Sequence, residues 1–183
     1  AAQKITERSG RRESDHKFGT NPCSEIILRP YQFCNLTEVV VRANDTEETL
    51  LKKVVLATTL GTLQSSMVDF RYLRNIWKRN TEEEALLGVS LTGIMDCKLT
   101  NGFGGYEDLG NLLNRLKLKA IETNKKWAKR LGICASTAIT CVKPSGTVSQ
   151  LTDSASGIHP RFSEYYIRTV RADKKDPLTT AMI

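Results

Sequence analysis

From Leu50 onward apolar positions recur at helical spacing, at Leu50, Leu51, Val54 and Val55, with Thr58 continuing the face. The pattern predicts a helix running through Leu63 towards Met67, with Asp45 as N-cap and Glu47 and Glu48 in its first turn. A clearer helix spans Tyr106 to Leu131. Leu109, Leu112, Leu113, Leu116, Ala120 and Trp127 fall mainly on one of its faces, and Gly132 follows as the C-cap. A short helical piece is expected over Phe70 to Trp77, and Thr81 with Glu84 has the spacing of a capping box.

Between these lie short β-branched or apolar runs without helical period. Asn35 to Val41, Gly88 to Ile94 and Ala138 to Val142 read as strands. Ile26 to Leu28 is a short apolar run broken at Pro30. Ala1 to Thr20 is polar, punctuated by glycine, and reads as loop. The order strand, helix, strand, helix, strand predicts an α/β fold with a mainly parallel sheet and right-handed crossovers. No repeat or internal boundary interrupts the 183 residues, enough for one domain.

Composition narrows the function classes. No apolar run approaches the length needed to cross a bilayer, and the N-terminus has no apolar signal-peptide core. The missing initiator Met and the abrupt end at Ile183 make both ends read as cut from something longer. The formal net charge of +7 favours anionic partners. The basic residues are scattered and lack interleaved aromatics, which argues against nucleic acid and leaves phosphorylated small molecules or a solvated surface. Five cysteines without a C-x-x-C pair, and only two histidines, argue against zinc and against a disulfide framework. Working or buried thiols of a cytosolic protein fit better.

Two stretches carry candidate chemistry. In Lys143-Pro144-Ser145-Gly146-Thr147-Val148-Ser149-Gln150 a strand runs into a small-residue turn and a helix start. Gly146 allows close backbone approach, free N–H groups can hold phosphate oxygens, and hydroxyls add donors. The plain alternative is a βα turn with a Ser or Thr cap, since no Walker pattern is present. The other stretch is Asn21-Pro22-Cys23-Ser24-Glu25, followed by Cys34. Pro22 keeps Asn21 out of helical angles, which places Cys23 on a loop tip. A Cys-His nucleophile would need a base, and nothing orients His16 or His159 for it. Cys34 is equally readable as a core residue at a strand start.

Asn21-Pro22-Cys23-Ser24-Glu25-Ile26 and Pro30-Tyr31-Gln32-Phe33-Cys34-Asn35-Leu36 together resemble the active-site region of ribonucleotide reductases. The Pro after Asn21 and the short gap between cysteines are similar to the adenosylcobalamin-dependent, class II branch. Gly88 to Ile94, Lys143 to Ser149, Ser156-Gly157-Ile158-His159-Pro160 and Tyr165-Tyr166-Ile167-Arg168 resemble further family segments in the right order. The Gln150-Leu151 and Tyr-Tyr-Ile-Arg wording is closer to the monomeric, triphosphate-reducing type. The resemblance runs from about Phe18 onward, so residues 1–17 read as linker-like and residues 18–183 as part of a ten-stranded α/β barrel with a central active-site loop.

The resemblance implies roles. Cys23 would be the thiyl radical that takes the ribose 3′ hydrogen. Glu25 would be the general base on the 3′-hydroxyl, and Asn21 would hydrogen-bond the substrate hydroxyls. Cys34 would be one of two reducing thiols, and Ser145, Gly146 and Thr147 would bind substrate phosphates. Adenosylcobalamin would be the cofactor, a thioredoxin-type protein the reductant, and deoxynucleotide effectors would act through a part of the enzyme outside this segment. The second reducing cysteine and the reloading C-terminal pair would also lie outside it. Cys97, Cys134 and Cys141 match neither and read as structural. A barrel portion exposes sheet edges and apolar surface, so this piece alone is expected to be inactive and poorly soluble. A dimeric-type enzyme acting on diphosphates and an inactive nucleotide-binding fragment are the alternatives.

Overall fold

The computed structural model describes residues 2–182. Its centre is a parallel pair of strands, β3 (Asn35–Val40) and β4 (Leu87–Thr92), in register from Asn35↔Leu87 to Val40↔Thr92. A small antiparallel pair precedes them, β1 (Gly19–Thr20) with β2 (Ile27–Leu28). The expected third strand at 138–142 is extended and lies along the other edge of β4. Val89 N–H donates to Ile139 O at 2.8 Å, and Cys141 N–H donates to Val89 O at 3.1 Å. It forms only a single parallel bridge, Val89↔Thr140. Nothing pairs with its outer side among the described residues, and Pro144 ends it. β4 is therefore central. The α/β class and the parallel pairing hold, and the described residues form no closed barrel.

Two helices cover one face of this sheet. These are α2 (Glu47–Ser65) and α4 (Tyr106–Leu131), the latter with the bounds its apolar period gives. Val39, Leu87 and Val89 meet Leu50, Val54 and Ala57 of α2 and Leu112, Leu116 and Ala120 of α4 in one buried cluster. Each fully buried aliphatic side chain there contributes about 1.5–3 kcal/mol. The buried stripe of α4 keeps a four-residue step and continues through Asn124 and Ala128, whereas Leu113 is 42% exposed. Asn124 is fully buried because its side chain is satisfied. It donates to Thr62 Oγ1 at 3.0 Å and Ser136 Oγ at 2.8 Å, and accepts from Ser136 N–H at 2.9 Å.

Several boundaries differ from the sequence expectation. The polar N-terminal stretch, expected as loop, holds a helix, α1 (Ala2–Ser9). The α2 N-cap is Thr46, in a reciprocal box with Thr49, and not Asp45. Asp45 instead accepts from Thr49 Oγ1, Arg42 N–H and Lys53 Nζ, which ties the helix entry to the end of β3. The expected helical piece over Phe70 to Trp77 appears later, as α3 (Asn75–Glu84). Thr81 and Glu84 close that helix and do not cap a new one, because the chain turns at left-handed Ala85 straight into β4. β4 itself stops at Thr92. Gly93 has φ +75°, and a Cβ there would collide with Val41 O, so only glycine makes this exit into the 3₁₀ turn Ile94–Asp96. Two short helices follow later, α5 (Val148–Leu151) and α6 (Pro177–Met182). Among the described residues no helix is long and apolar enough to cross a membrane.

Candidate active site on the uncovered face of the sheet

Side chains alternate across a strand, so the residues between the helix-facing positions of β3 and β4 point to the opposite face. Leu36 and Glu38 lie there, as do Gly88 and Ser90. Gly88 leaves room that its neighbours fill. A Cβ on it would meet Leu36 Cδ2, and would stand 3.1 Å from both Cys141 Sγ and Ile26 Cδ1. Cys34 enters the same face immediately before β3, with Asn35 N–H held by Leu86 O at 2.9 Å.

Cys23 sits at the tip of the hairpin joining β1 and β2. Ser24 N–H donates to Asn21 O at 2.9 Å, and Ser24 takes a left-handed φ of 62°, which turns the chain sharply after the cysteine. Cys23 is exposed, as its loop-tip reading requires. The Asn21 side chain locks the hairpin, since its Oδ1 accepts from Ile26 N–H at 3.0 Å. Its amide nitrogen is the group left to face a ligand or Glu25.

The Glu25 side chain is enclosed, only 1% exposed. Lys143 Nζ lies 3.4 Å from its Oε1, while Oε2 is buried without a partner. Burial disfavours its charge. Hydrogen bonds from its own backbone and from Asn21, together with the Lys143 ammonium, outweigh that and hold the carboxyl below the usual range. Glu25 is therefore an anion at neutral pH, able to accept a proton.

Cys34 is half-buried, and burial, followed by the charges of Cys141 and Glu25, pushes its thiol up to about 12. Burial and Glu25 push Cys141 up to about 11. Both stay protonated near neutrality. Cys141, expected to be structural, stands beside Cys34 and Glu25. Its signal in the sequence was its place two residues before Lys143, which only the fold brings to Glu25.

The loop carrying Cys34 is fixed from behind. Arg12 donates to Glu84 through Nε at 2.9 Å and Nη2 at 2.7 Å, and to Ile27 O at 2.8 Å. Gln32, two residues before Cys34, donates to Glu84 and to Asn80 O. Phe33 stacks on Trp77 with centroids 4.7 Å apart. None of these supports is marked by a local motif, since the Arg12–Glu84 pair spans 72 positions.

The expected phosphate residues lie together at the carboxyl end of the 138–141 segment. Gly146 is left-handed at φ 58°, and Gly146 and Thr147 are exposed. Among the described residues the N–H groups of Gly146 and Thr147 donate to no protein group. The Ser145 hydroxyl, expected to face a phosphate, is buried and donates to Glu38 Oε2 at 3.2 Å. Ser156-Gly157-Ile158-His159 packs beneath the loop. Gly157 N–H donates to Thr92 Oγ1 at 2.8 Å, and a Gly157 Cβ would stand 3.3 Å from Lys143 O. Arg161 clamps the segment to Asp96 and Asp153, at 3.1 and 2.7 Å.

No family model matches the chain. It is 31% identical, over 92% of its length, to an adenosylcobalamin-dependent ribonucleoside-triphosphate reductase of Lactobacillus acidophilus. It is 33% identical, over 93% of its length, to a probable enzyme of the same name from Dictyostelium discoideum. The chain spans about a quarter of these relatives, 25% and 22% of their lengths. A crystal structure of a B12-dependent, class II ribonucleotide reductase superposes with a TM-score of 0.67 and 26% identity, over 79% of this chain and 23% of that one.

Proposed function

We propose, on the premise that this chain is a homologous segment of the adenosylcobalamin-dependent ribonucleotide reductases, that it carries the radical and reducing centre of a ribonucleoside-triphosphate reductase. The observation that carries this reading is the meeting of two motifs 118 residues apart. Lys143, at the head of the phosphate loop, contacts Glu25 of the cysteine hairpin. A ribose and its phosphates are thereby given one continuous face. In this reading the helix-backed sheet is a portion of a ten-stranded α/β barrel, the site face turned to its interior. The enzyme is cytoplasmic.

The residues present suit the cofactor that the relatives' names carry. An exposed thiol on a rigid turn tip can meet a group approaching from outside the sheet, and sulfur accepts and returns a hydrogen atom readily. Bound adenosylcobalamin supplies the organic radical that a side chain cannot generate alone. As a thiyl radical, its own thiol hydrogen given up, Cys23 takes the hydrogen from the ribose 3′ carbon. Glu25, anionic and enclosed, accepts the 3′-hydroxyl proton, and general base help of this kind is worth about 10²–10⁴-fold. Asn21 orients the substrate hydroxyls with its amide nitrogen. Cys34, held protonated, gives a proton to the departing 2′-hydroxyl, which leaves as water. A second thiol outside this segment gives its hydrogen to the 2′ carbon as its sulfur joins that of Cys34, and the remaining electron of the pair, with the proton held on Glu25, restores the 3′-hydroxyl. Cys23 finally returns its hydrogen to the 3′ carbon. A thioredoxin-type dithiol reloads the disulfide, and deoxynucleotide effectors act through parts outside this segment.

The Gly146 and Thr147 N–H groups hold the phosphates, with Ser145 shaping the loop. Turnover of CTP against CDP by the full-length enzyme containing this segment tests the substrate class. Faster turnover of CDP would replace the triphosphate reading with the diphosphate one. Nucleotide binding without any turnover would leave an inactive binding fragment.

A further inference from the structure

One carboxylate on the site face has no part in this scheme. Glu38 lies four residues after Cys34 on the same face of β3, which is roughly 13 Å along a strand. Its Oε2 accepts the Ser145 hydroxyl at 3.2 Å, and its Oε1 is buried with no partner. A side chain serving only to fill space would not keep a buried acceptor unsatisfied, since such a group is destabilising. The contact also falls at a decisive point of the loop. Pro144 on one side of Ser145 has a fixed φ, and Gly146 on the other is left-handed at φ 58°. Anchoring Ser145 therefore sets where the free N–H groups of Gly146 and Thr147 point. Lys143 is anchored independently to Glu25, two residues upstream.

Accordingly, we infer that Glu38 is a positioning residue of the phosphate loop, holding it through Ser145 at a fixed reach from Cys34 so that ribose and phosphates are bound in register. This rests on the proposed reading of the loop as the substrate phosphate site. A hydroxyl has one hydrogen to donate, so Ser145 acts through Glu38 and not on the phosphate.

A double-mutant cycle in the full-length enzyme tests it, reading KM and kcat for CTP separately. Glu38→Ala and Ser145→Ala are each expected to raise KM about tenfold, the effect of one hydrogen bond, with kcat within about threefold. The double variant is expected to be no weaker than the worse single one, and Glu38→Gln, which keeps an acceptor, to recover most of the affinity. Multiplying effects in the double variant would overturn the inference. So would an unchanged KM in Ser145→Ala, whose smaller side chain leaves the fold intact. Cys23→Ser, run in parallel, separates the two levels. Its retained turnover would remove the parent reading, whereas its inactivity beside multiplying KM effects would remove only the role of Glu38.

Discussion

Lys143 Nζ stands 3.4 Å from Glu25 Oε1, and this contact joins two stretches that the chain keeps 118 residues apart. Burial raises the Glu25 carboxyl while its own backbone, Asn21 and Lys143 lower it, with a net shift downward. An enzyme needing Glu25 ionised loses activity only as pH falls through that lowered value. The acid limb of kcat/KM is thus expected below the ordinary 4.5 of a glutamate. Lys143→Ala is expected to move the limb to higher pH, because a stabilising charge is removed. A profile that stays in place would show that the ammonium does not tune Glu25.

Cys23→Ser is expected to abolish deoxynucleotide formation in the full-length enzyme, since a hydroxyl cannot take the place of the sulfur radical. Cys34→Ser is expected to lose turnover supported by a thioredoxin-type reductant while radical formation persists, readable by electron paramagnetic resonance. Full turnover in Cys34→Ser would remove its assigned role.

The two thiols differ in access, Cys23 being exposed and Cys34 partly buried. With its thiol pushed up to about 12, Cys34 holds only about 10⁻⁵ thiolate at pH 7. Brief alkylation of the folded protein followed by mass spectrometry should label exposed Cys23 and Cys134 first and leave Cys34 and Cys141 largely unmodified. Labelling of Cys34 should rise steeply with pH. Equal labelling of Cys23 and Cys34 at pH 7 would contradict the burial that protects the second thiol.

The Arg12–Glu84 pair is buried, with side chains 4% and 6% exposed. Arg12→Ala leaves Glu84 enclosed without its cation, and a loss of about 3–5 kcal/mol is expected in thermal unfolding. Burial raises the Glu84 carboxyl, but Arg12 and Gln32 outweigh it and lower the net value. Its stabilisation is therefore complete above the ordinary 4.5 and disappears as pH falls through the lower folded value. Unfolding midpoints measured between pH 3 and 7 should show this loss in the parent protein and not in Glu84→Gln.

Gly93→Ala is expected to destabilise the protein by about 1–3 kcal/mol. The methyl meets the backbone oxygen of Val41, and the left-handed φ of +75° disfavours any side chain. An unchanged melting temperature would mean that the turn after β4 relaxes freely.

Local pattern determined much of this protein. The period of Leu112, Leu116 and Ala120 and the stop at Gly132 delimited α4 to the residue, because a helix is specified by its own stripe and caps. Pro22 and the small residues around Gly146 marked the two turns, since those backbones need these residue types. The motif wording pointed to the reductases to which the chain is 31% and 33% identical over most of its own length. Tertiary structure alone decided the rest. Whether 138–142 becomes a full strand depends on a neighbour at its outer edge, and whether Thr81 and Glu84 open or close a helix depends on what Ala85 turns into. The pairing of Lys143 with Glu25, of Ser145 with Glu38, and the place of Cys141 beside Cys34 arise from strand register. Register is set by contacts distant in sequence, so no local spacing encodes them.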